Sequence, residues 1–240
     1  MKALLLDGLN RMGLSPSPRQ VDQLTEYARL LLEQNQVMNL TAITEPKDVA
    51  ALHLLDSLAL FPIAGLGEER VVDVGAGAGF PGLPLAIAGP SLQLTLLDSL
   101  GKRVDFLRRT CAALGLENTE CIHARAEELA GERRETFDAA VSRAVAALPV
   151  LSELCLPLVK VGGRMLAMKS SHTEDEIGQA KAAIKTLGGQ IEWVKDYTIP
   201  TTDVTHRVVC VRKISPTPKK YPRRFALIKK SPLGVPVRQI

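Results

Sequence analysis

Apolar positions in the first 65 residues recur at helical spacing. Val21, Leu24, Ala28, Leu31 and Leu32 share one face behind Pro18 and Arg19, which predicts an amphipathic helix. Thr44-Glu45-Pro46 reads as an N-cap followed by an early-helix acid and proline. The helix then runs through Val49, Leu52, Leu55 and Leu58 towards Pro62. From Arg70 the period changes. Val71–Val74, Gln93–Leu97, Glu120–His123, Asp138–Ser142 and Arg164–Met168 are short apolar runs that read as strands. Helices fill the gaps near 81–89, 100–115, 125–130 and 149–160. Such alternation predicts a mostly parallel sheet with helices on both faces. Gly188-Gly189 leads into Gln190–Tyr197, and His206–Lys213 follows with no evident helix between, so these two strands read as a closing antiparallel pair. The expectation is an α/β chain in three parts: an N-terminal helical extension over 1–65 packed on the core, a core with a seven-stranded sheet over 66–214, and a basic tail over 215–240.

Composition narrows the class. The 240 residues are 46% hydrophobic and 23% charged, as in an ordinary globular domain with an appendage. No apolar run approaches the ~20 residues of a membrane helix. Met1–Arg19, with Asp7, Arg11, Pro16 and Pro18, lacks the layout of a signal peptide. A cytoplasmic protein is expected. Cys111, Cys121, Cys155 and Cys210 contain no Cys-x-x-Cys pair, which favours buried thiols in a reducing compartment over a zinc site; no metal is expected.

Charge is unevenly placed. Ten of the 30 Lys and Arg lie in Val204–Ile240, which has no Asp or Glu; the preceding residues carry 20 basic against 26 acidic side chains, a net of −6. A basic tail on an acidic body suits attraction to a polyanion. The plain alternative is a solvated strand and tail.

The candidate chemistry begins at Asp73-Val74-Gly75-Ala76-Gly77-Ala78-Gly79-Phe80-Pro81-Gly82, between a predicted strand and a predicted helix. The glycines, Gly75 and Gly77 among them, permit a sharp turn and close approach of a ligand. Gly77–Gly82 also fits the dinucleotide fingerprint. Two features favour S-adenosylmethionine over NAD. Asp73 places a carboxylate where it can orient loop amides near a cationic donor, and Pro81 removes an amide from an anion nest. Asp98, ending the second strand, can accept hydrogen bonds from ribose hydroxyls in either class. Ala126 and Glu127, after the third strand, are placed to meet an adenine edge, unless Glu127 is simply a helix-start acid.

The acceptor is argued by absence. Ala140-Val141-Ser142-Arg143-Ala144 lacks the Asn/Asp-Pro-Pro-aromatic run that holds an exocyclic amine, and Cys155 sits in an apolar helix rather than where a pyrimidine C5 nucleophile is needed. A ring nitrogen such as guanine N7 already has its lone pair and loses no proton, so alignment and electrostatics suffice. Arg143 and Lys169, at strand ends, and His53, on a helix, are the candidates to hold the acceptor. Their plain readings are a surface ion pair, a solvated strand end and a satisfied helix histidine.

Taken together, Met38-Asn39-Leu40-Thr41, His53-Leu54-Leu55-Asp56-Ser57, the loop Asp73–Gly82, Leu96–Leu107, Ser142-Arg143-Ala144 and Tyr221-Pro222-Arg223-Arg224 resemble the bacterial small-subunit ribosomal RNA guanine-N7 methyltransferase G family, also called glucose-inhibited division protein B. The resemblance covers nearly the whole chain from about Leu30. It implies a Rossmann-like class I methyltransferase fold and methyl transfer from S-adenosyl-L-methionine to N7 of a guanosine in the 530 loop of 16S rRNA. It also implies a cofactor site at Gly75, Phe80, Ala126, Glu127 and Arg143. The expected partner is 16S rRNA or the small ribosomal subunit, approached by a monomer, with neither DNA nor membrane involved. Two departures stand out. Lys169 is followed by Ser170-Ser171 where the family usually has glycine, and Phe225-Ala226-Leu227-Ile228 interrupts the usual tail. Other acceptors on the same fold, an NAD-dependent oxidoreductase and a non-catalytic RNA-binding protein are the competing readings.

Overall fold

A computed structural model describes residues 1–235; the end of the expected tail, 236–240, lies outside the described residues. Helices α1 (Lys2–Arg11) and α2 (Pro18–Met38) open the chain. A capping box starts α2, with Ser17 accepting from the Gln20 amide and Gln20 reaching back to the Ser17 amide. Val21, Leu24, Ala28 and Leu31 are buried as their spacing predicts, while Leu32 is half-buried.

The second helical stretch departs from expectation. Glu45, not Thr44, is its N-cap, and α3 (Pro46–Asp48) gives way to a π-helical segment, Val49–Leu55. Then come α4 (Asp56–Leu58) and α5 (Leu60–Ala64), so Pro62 lies inside the last turn and Gly65, at φ +60°, ends it.

The core alternates as predicted: β1 (Arg70–Val74), α6 (Gly82–Ala88), β2 (Gln93–Asp98), α7 (Gly101–Leu114), β3 (Thr119–His123), α8 (Ala126–Glu132) and β4 (Phe137–Arg143). Next is α9 (Leu148–Cys155), which stops well short of residue 160. Pro157 follows, and a proline there cannot continue the hydrogen-bond ladder. The buried run Leu156–Val159 instead starts β5 (Val159–Ser170), which is much longer than Arg164–Met168. The helix α10 (Glu174–Thr186) is absent from the expected elements. Its apolar stripe is thin: only Ala180, Ala183 and Ile184 are buried. Strands β6 (Gly189–Thr198) and β7 (Thr205–Lys213) form the expected antiparallel pair, and a short α11 (Phe225–Lys230) lies in the tail.

The sheet order is β3-β2-β1-β4-β5-β7-β6, with β1 to β5 parallel and β7 inserted antiparallel to both neighbours. Side-chain alternation assigns its faces. Val72, Val74, Met165 and Ala167 pack with α8–α11. Val71, Leu166 and Met168 face the other way with α5 and α6. On that second side α1 and α2 share one cluster with Phe80, Leu96 and Phe106, so the N-terminal extension is part of the core packing. Among the cysteines, Cys121 is only half-buried, and packing of α7 on β3 brings its Sγ to 3.8 Å from that of Cys111.

Candidate active site

The strand order reverses between β1 and β4, the position at which open α/β sheets bind ligands beyond their strand ends. Here β1 passes into the glycine loop. Gly75 has φ +75°, and a Cβ there would lie 2.6 Å from Val145 Cγ2, so only glycine fits on both counts. The Gly77 amide donates to Asp98 Oδ2 at 2.9 Å, and the Leu100 amide donates to Asp98 Oδ1 at 2.9 Å. One carboxylate at the end of β2 thus locks the two loops that form the crevice floor.

Asp73 orients a loop amide as its position suggests, but from beneath the loop and not from the crevice. It is wholly buried beneath the loop, where its Oδ2 accepts the Gly82 amide at 2.8 Å. Burial pushes its carboxyl up to about 7. It fixes the start of α6 and is not among the residues lining the crevice. Asp73 therefore does not, by itself, separate a methyl donor from a dinucleotide. Pro81 precedes α6, as expected.

Two connected chambers follow. The smaller, about 120 Å³, is lined by Gly75, Asp98, Ala126, Glu127, Leu154 and Phe225, among others. The larger, about 470 Å³, is bounded by Gly77, Phe80, Asp98, Arg143, His53 and Thr41, among others, a size in the range of small-molecule sites. Gly75, Asp98, Ser99 and Val145 line both. Ala144, at φ +57°, turns the chain after β4 in a conformation that L-residues rarely adopt. Glu127 is at once a first-turn acid of α8 and an anchor, accepting the Phe225 amide at 3.1 Å.

The acceptor-side candidates resolve unequally. Arg143 is no surface ion pair. Its Nη1 donates to Asp56 Oδ2 at 2.8 Å and to the Leu52 carbonyl at 3.1 Å, and its Nη2 donates to His53 Nδ1 at 3.0 Å. A guanidinium only donates, so His53 Nδ1 accepts and Nε2–H donates to Thr41 Oγ1 at 2.8 Å. Burial, aided by the Arg143 charge, pushes His53 down to about 4, which keeps it neutral at physiological pH. The Phe80 ring packs against this pair, with the His53 ring 4.4 Å away between centroids and the Arg143 guanidinium 4.7 Å from its centroid.

Lys169 is not brought to the crevice. Its ammonium donates to the Ala146 carbonyl at 2.6 Å and to Glu176 at 2.5 Å, tying β5 to the β4–α9 loop and α10. The glycine departure beside it is harmless: Ser170 pairs with His206 as ordinary strand and has no positive φ.

Asp56 is the site residue that motif reading alone undervalues. It is fully buried and also accepts from Tyr197 Oη at 2.7 Å and His206 Nδ1 at 2.8 Å. Burial alone would raise its carboxyl; the bonds from His206 and Tyr197 and the Arg143 charge hold it below the usual range. Tyr197 and His206 face each other across the β6–β7 register, far from Asp56 in sequence, and no local pattern announces them.

The expected basic tail is docked and partly neutralised. Arg207 pairs with Glu174 and Asp196, Arg212 with Glu192, Lys213 with Glu135, and Arg223 with Glu153. Lys219, Lys220, Arg224, Lys229 and Lys230 are exposed, and among the described residues no ion-pair partner is found for them.

Comparison with known proteins places this architecture. Residues 20–204 match the family model described as rRNA small subunit methyltransferase G. The chain is 47% identical over 235 residues to Ribosomal RNA small subunit methyltransferase G of Alkaliphilus metalliredigens (strain QYMF), covering 97% of this chain and 98% of that one. It is 46% identical over 230 residues to the protein of the same description from Bacillus subtilis (strain 168), covering 94% and 96%. Among solved structures, M. jannaschii TYW2 in complex with AdoMet aligns with a TM-score of 0.50 at 18% identity, covering 62% of this chain and 71% of that one, a likeness of fold alone.

Proposed function

The chain belongs to the rRNA small subunit methyltransferase G family, and from that premise we propose that it moves a methyl group from S-adenosyl-L-methionine to N7 of a guanosine in the 530 loop of 16S rRNA. It is an S-adenosylmethionine-dependent rRNA methyltransferase. The N7 position, the 530 loop, action as a monomer in the cytoplasm and the residue roles below are our reading. Among the described residues no helix is long and apolar enough to cross a membrane.

The observation that carries the reading is the convergence of Gly75, Asp98 and Arg143 on one crevice at the β1–β4 switch point. The residues fit the cofactor. Gly75 leaves open backbone that any side chain would fill, and Asp98 stands at the chamber junction with acceptor capacity beyond its two amide bonds. Gly75, Gly77, Phe80, Asp98, Ala126, Glu127 and Arg143 would hold it, with Asp98 on the ribose and Ala126–Glu127 at the adenine. The cofactor, when bound, supplies an electrophilic methyl group on a sulfonium.

The chain's own contribution is alignment. Guanine N7 needs no base, and none is offered: both His53 nitrogens are engaged. Arg143 has used both Nη1 hydrogens and one Nη2 hydrogen within the protein. Its Nε–H and second Nη2 hydrogen make no hydrogen bond among the described residues, and a guanine edge or phosphate would accept from such donors. Lys169 acts from behind, by holding the β4–α9 loop in place.

Mapping N7-methylguanosine by chemical cleavage in rRNA from a strain lacking this chain tests the acceptor. Loss of one 530-loop signal, restored by the gene, is expected; an unchanged pattern would discard that assignment. S-adenosylmethionine should raise the melting temperature while NAD should not, and equal shifts would discard the donor.

A further inference from the structure

The C-terminal segment does more than carry charge. Arg134 clamps its backbone by donating to the Thr217 carbonyl at 2.6 Å and the Tyr221 carbonyl at 2.8 Å. Arg223 makes a two-pronged contact with Glu153, a carboxylate with no exposed surface, at 2.9 and 2.6 Å. Ile228 is fully buried in the cluster formed with α9, and Tyr221 is nearly so. Between these anchors Glu127 holds the Phe225 amide. The outcome is one placement: the half-buried Phe225 ring lines the smaller chamber beside Ala126 and Asp98, with the Arg125 guanidinium 5.7 Å from its centroid. Phe225 also lines a second cleft, shared with the cations Arg125, Arg223, Arg224 and Lys229 and with the acids Glu127 and Glu128. One aromatic side chain is therefore common to the smaller chamber and to a cleft with four cations and two acids.

We propose that Phe225 is the wall against which the cofactor's adenine packs, and that through it the basic C-terminal segment couples binding of RNA phosphates to binding of the cofactor. The inference rests on the crevice being the S-adenosylmethionine site. Physically, an aromatic ring against a purine adds dispersion and quadrupole contact to simple burial. The segment that presents the ring also presents Arg224, Lys229 and Lys230 to solvent. A polyanion that shifts or stiffens this segment changes the wall, and by linkage the cofactor changes polyanion affinity by the same factor.

Calorimetric titration of the full chain with S-adenosylhomocysteine tests this without any turnover. Phe225→Ala should weaken binding about tenfold to a hundredfold, the range expected for one aromatic–base contact. Phe225→Leu keeps apolar bulk for packing and should weaken it about threefold or more, while Phe225→Tyr should restore it. Adding a saturating transcript of the 530-loop hairpin should shift the wild-type affinity about threefold or more, and that shift should vanish in Phe225→Leu. Wild-type affinity in both the alanine and leucine variants overturns the wall. A wild-type affinity indifferent to the transcript overturns the coupling. Failure of the wild type itself to bind S-adenosylhomocysteine would instead overturn the cofactor reading, a different result from either.

Discussion

The two chambers of the crevice are built on opposite plans. The smaller, where we place the cofactor's adenine, is made of backbone and small residues such as Gly75 and Ala126, with one carboxylate, Asp98, holding loop amides. The larger, where we place the acceptor, is backed by a network of ionisable side chains in which Asp56 gathers Arg143, Tyr197 and His206, and Arg143 in turn holds His53. One end is shaped by what is left out, the other by what is cross-linked. The difference teaches how each should fail. The first loses ligand affinity when an atom is added; the second loses geometry when one is removed.

Arg143→Ala should break the second end most severely. It leaves buried Asp56 without its guanidinium, at a cost of about 3–5 kcal/mol in unfolding free energy, and should lower methyl transfer at least a hundredfold. A variant of wild-type stability and full activity would remove Arg143 from the network and the site. At the first end, Gly75→Ala should cost about 1–2 kcal/mol from the left-handed backbone, and S-adenosylhomocysteine affinity should fall more than tenfold. Unchanged affinity would mean the ligand does not approach that loop. Tyr197→Phe removes one of several donors to Asp56 and should cost about 1 kcal/mol, read by urea unfolding; no change would show that the tyrosine hydroxyl is dispensable to the carboxylate.

The pH response should separate the ends more finely. His53 is held down to about 4 in the fold against about 6.5 when unfolded. The unfolded chain binds more protons between those values, so this end gains stability as pH rises from about 4 to 6.5. Asp73, under the cofactor loop, is pushed up to about 7 against about 3.9 unfolded. Here the native state binds more protons, so the contribution falls as pH rises across that window. His53→Gln should flatten the rise and Asp73→Asn the fall, in urea midpoints measured from pH 4.5 to 7.5. Identical profiles for both variants and the wild type would contradict these assignments. Smallest of all, neutralising Lys219, Lys220, Arg224, Lys229 and Lys230 should reduce RNA binding and flatten its salt dependence, whereas Arg223→Gln should chiefly lower stability because its partner is Glu153. Equal salt slopes for wild type and the multiple variant would show that the tail does not meet phosphate.

Legibility in the sequence follows the same division. The strands, the glycine loop and Asp98 are written in local patterns of period and residue type, so they are readable in a row. Arg143 and His53 are visible as candidates, but their partnership is not, because it closes only when the sheet places β4 beside the π-helical segment. Asp56 stands in a legible motif, yet its meaning depends on Tyr197 and His206 arriving from β6 and β7. Lys169 illustrates the converse. Its strand-end position is readable, but α10, whose Glu176 draws it away, has too thin an apolar stripe to announce itself. Asp73 holds a loop amide as its strand-end position allows, but a linear pattern does not say on which side of the loop its carboxylate lies.

The π-helical segment has a consequence for how length can vary here. Such a segment holds one residue more than a regular helix needs over the same span, and it lies between Pro46, which fixes the start, and Asp56, which fixes the end. Deleting one residue from Val49–Leu52 would allow an unbroken α-helix, a gain in local regularity. It would also rotate everything upstream of His53 by about 100° relative to Asp56, one residue's turn of a helix. The segment acts as a phase adjuster: its additional residue sets the rotation at which the chain before His53, with Thr41 bonded to His53 Nε2, meets the His53 and Asp56 pair that holds Arg143.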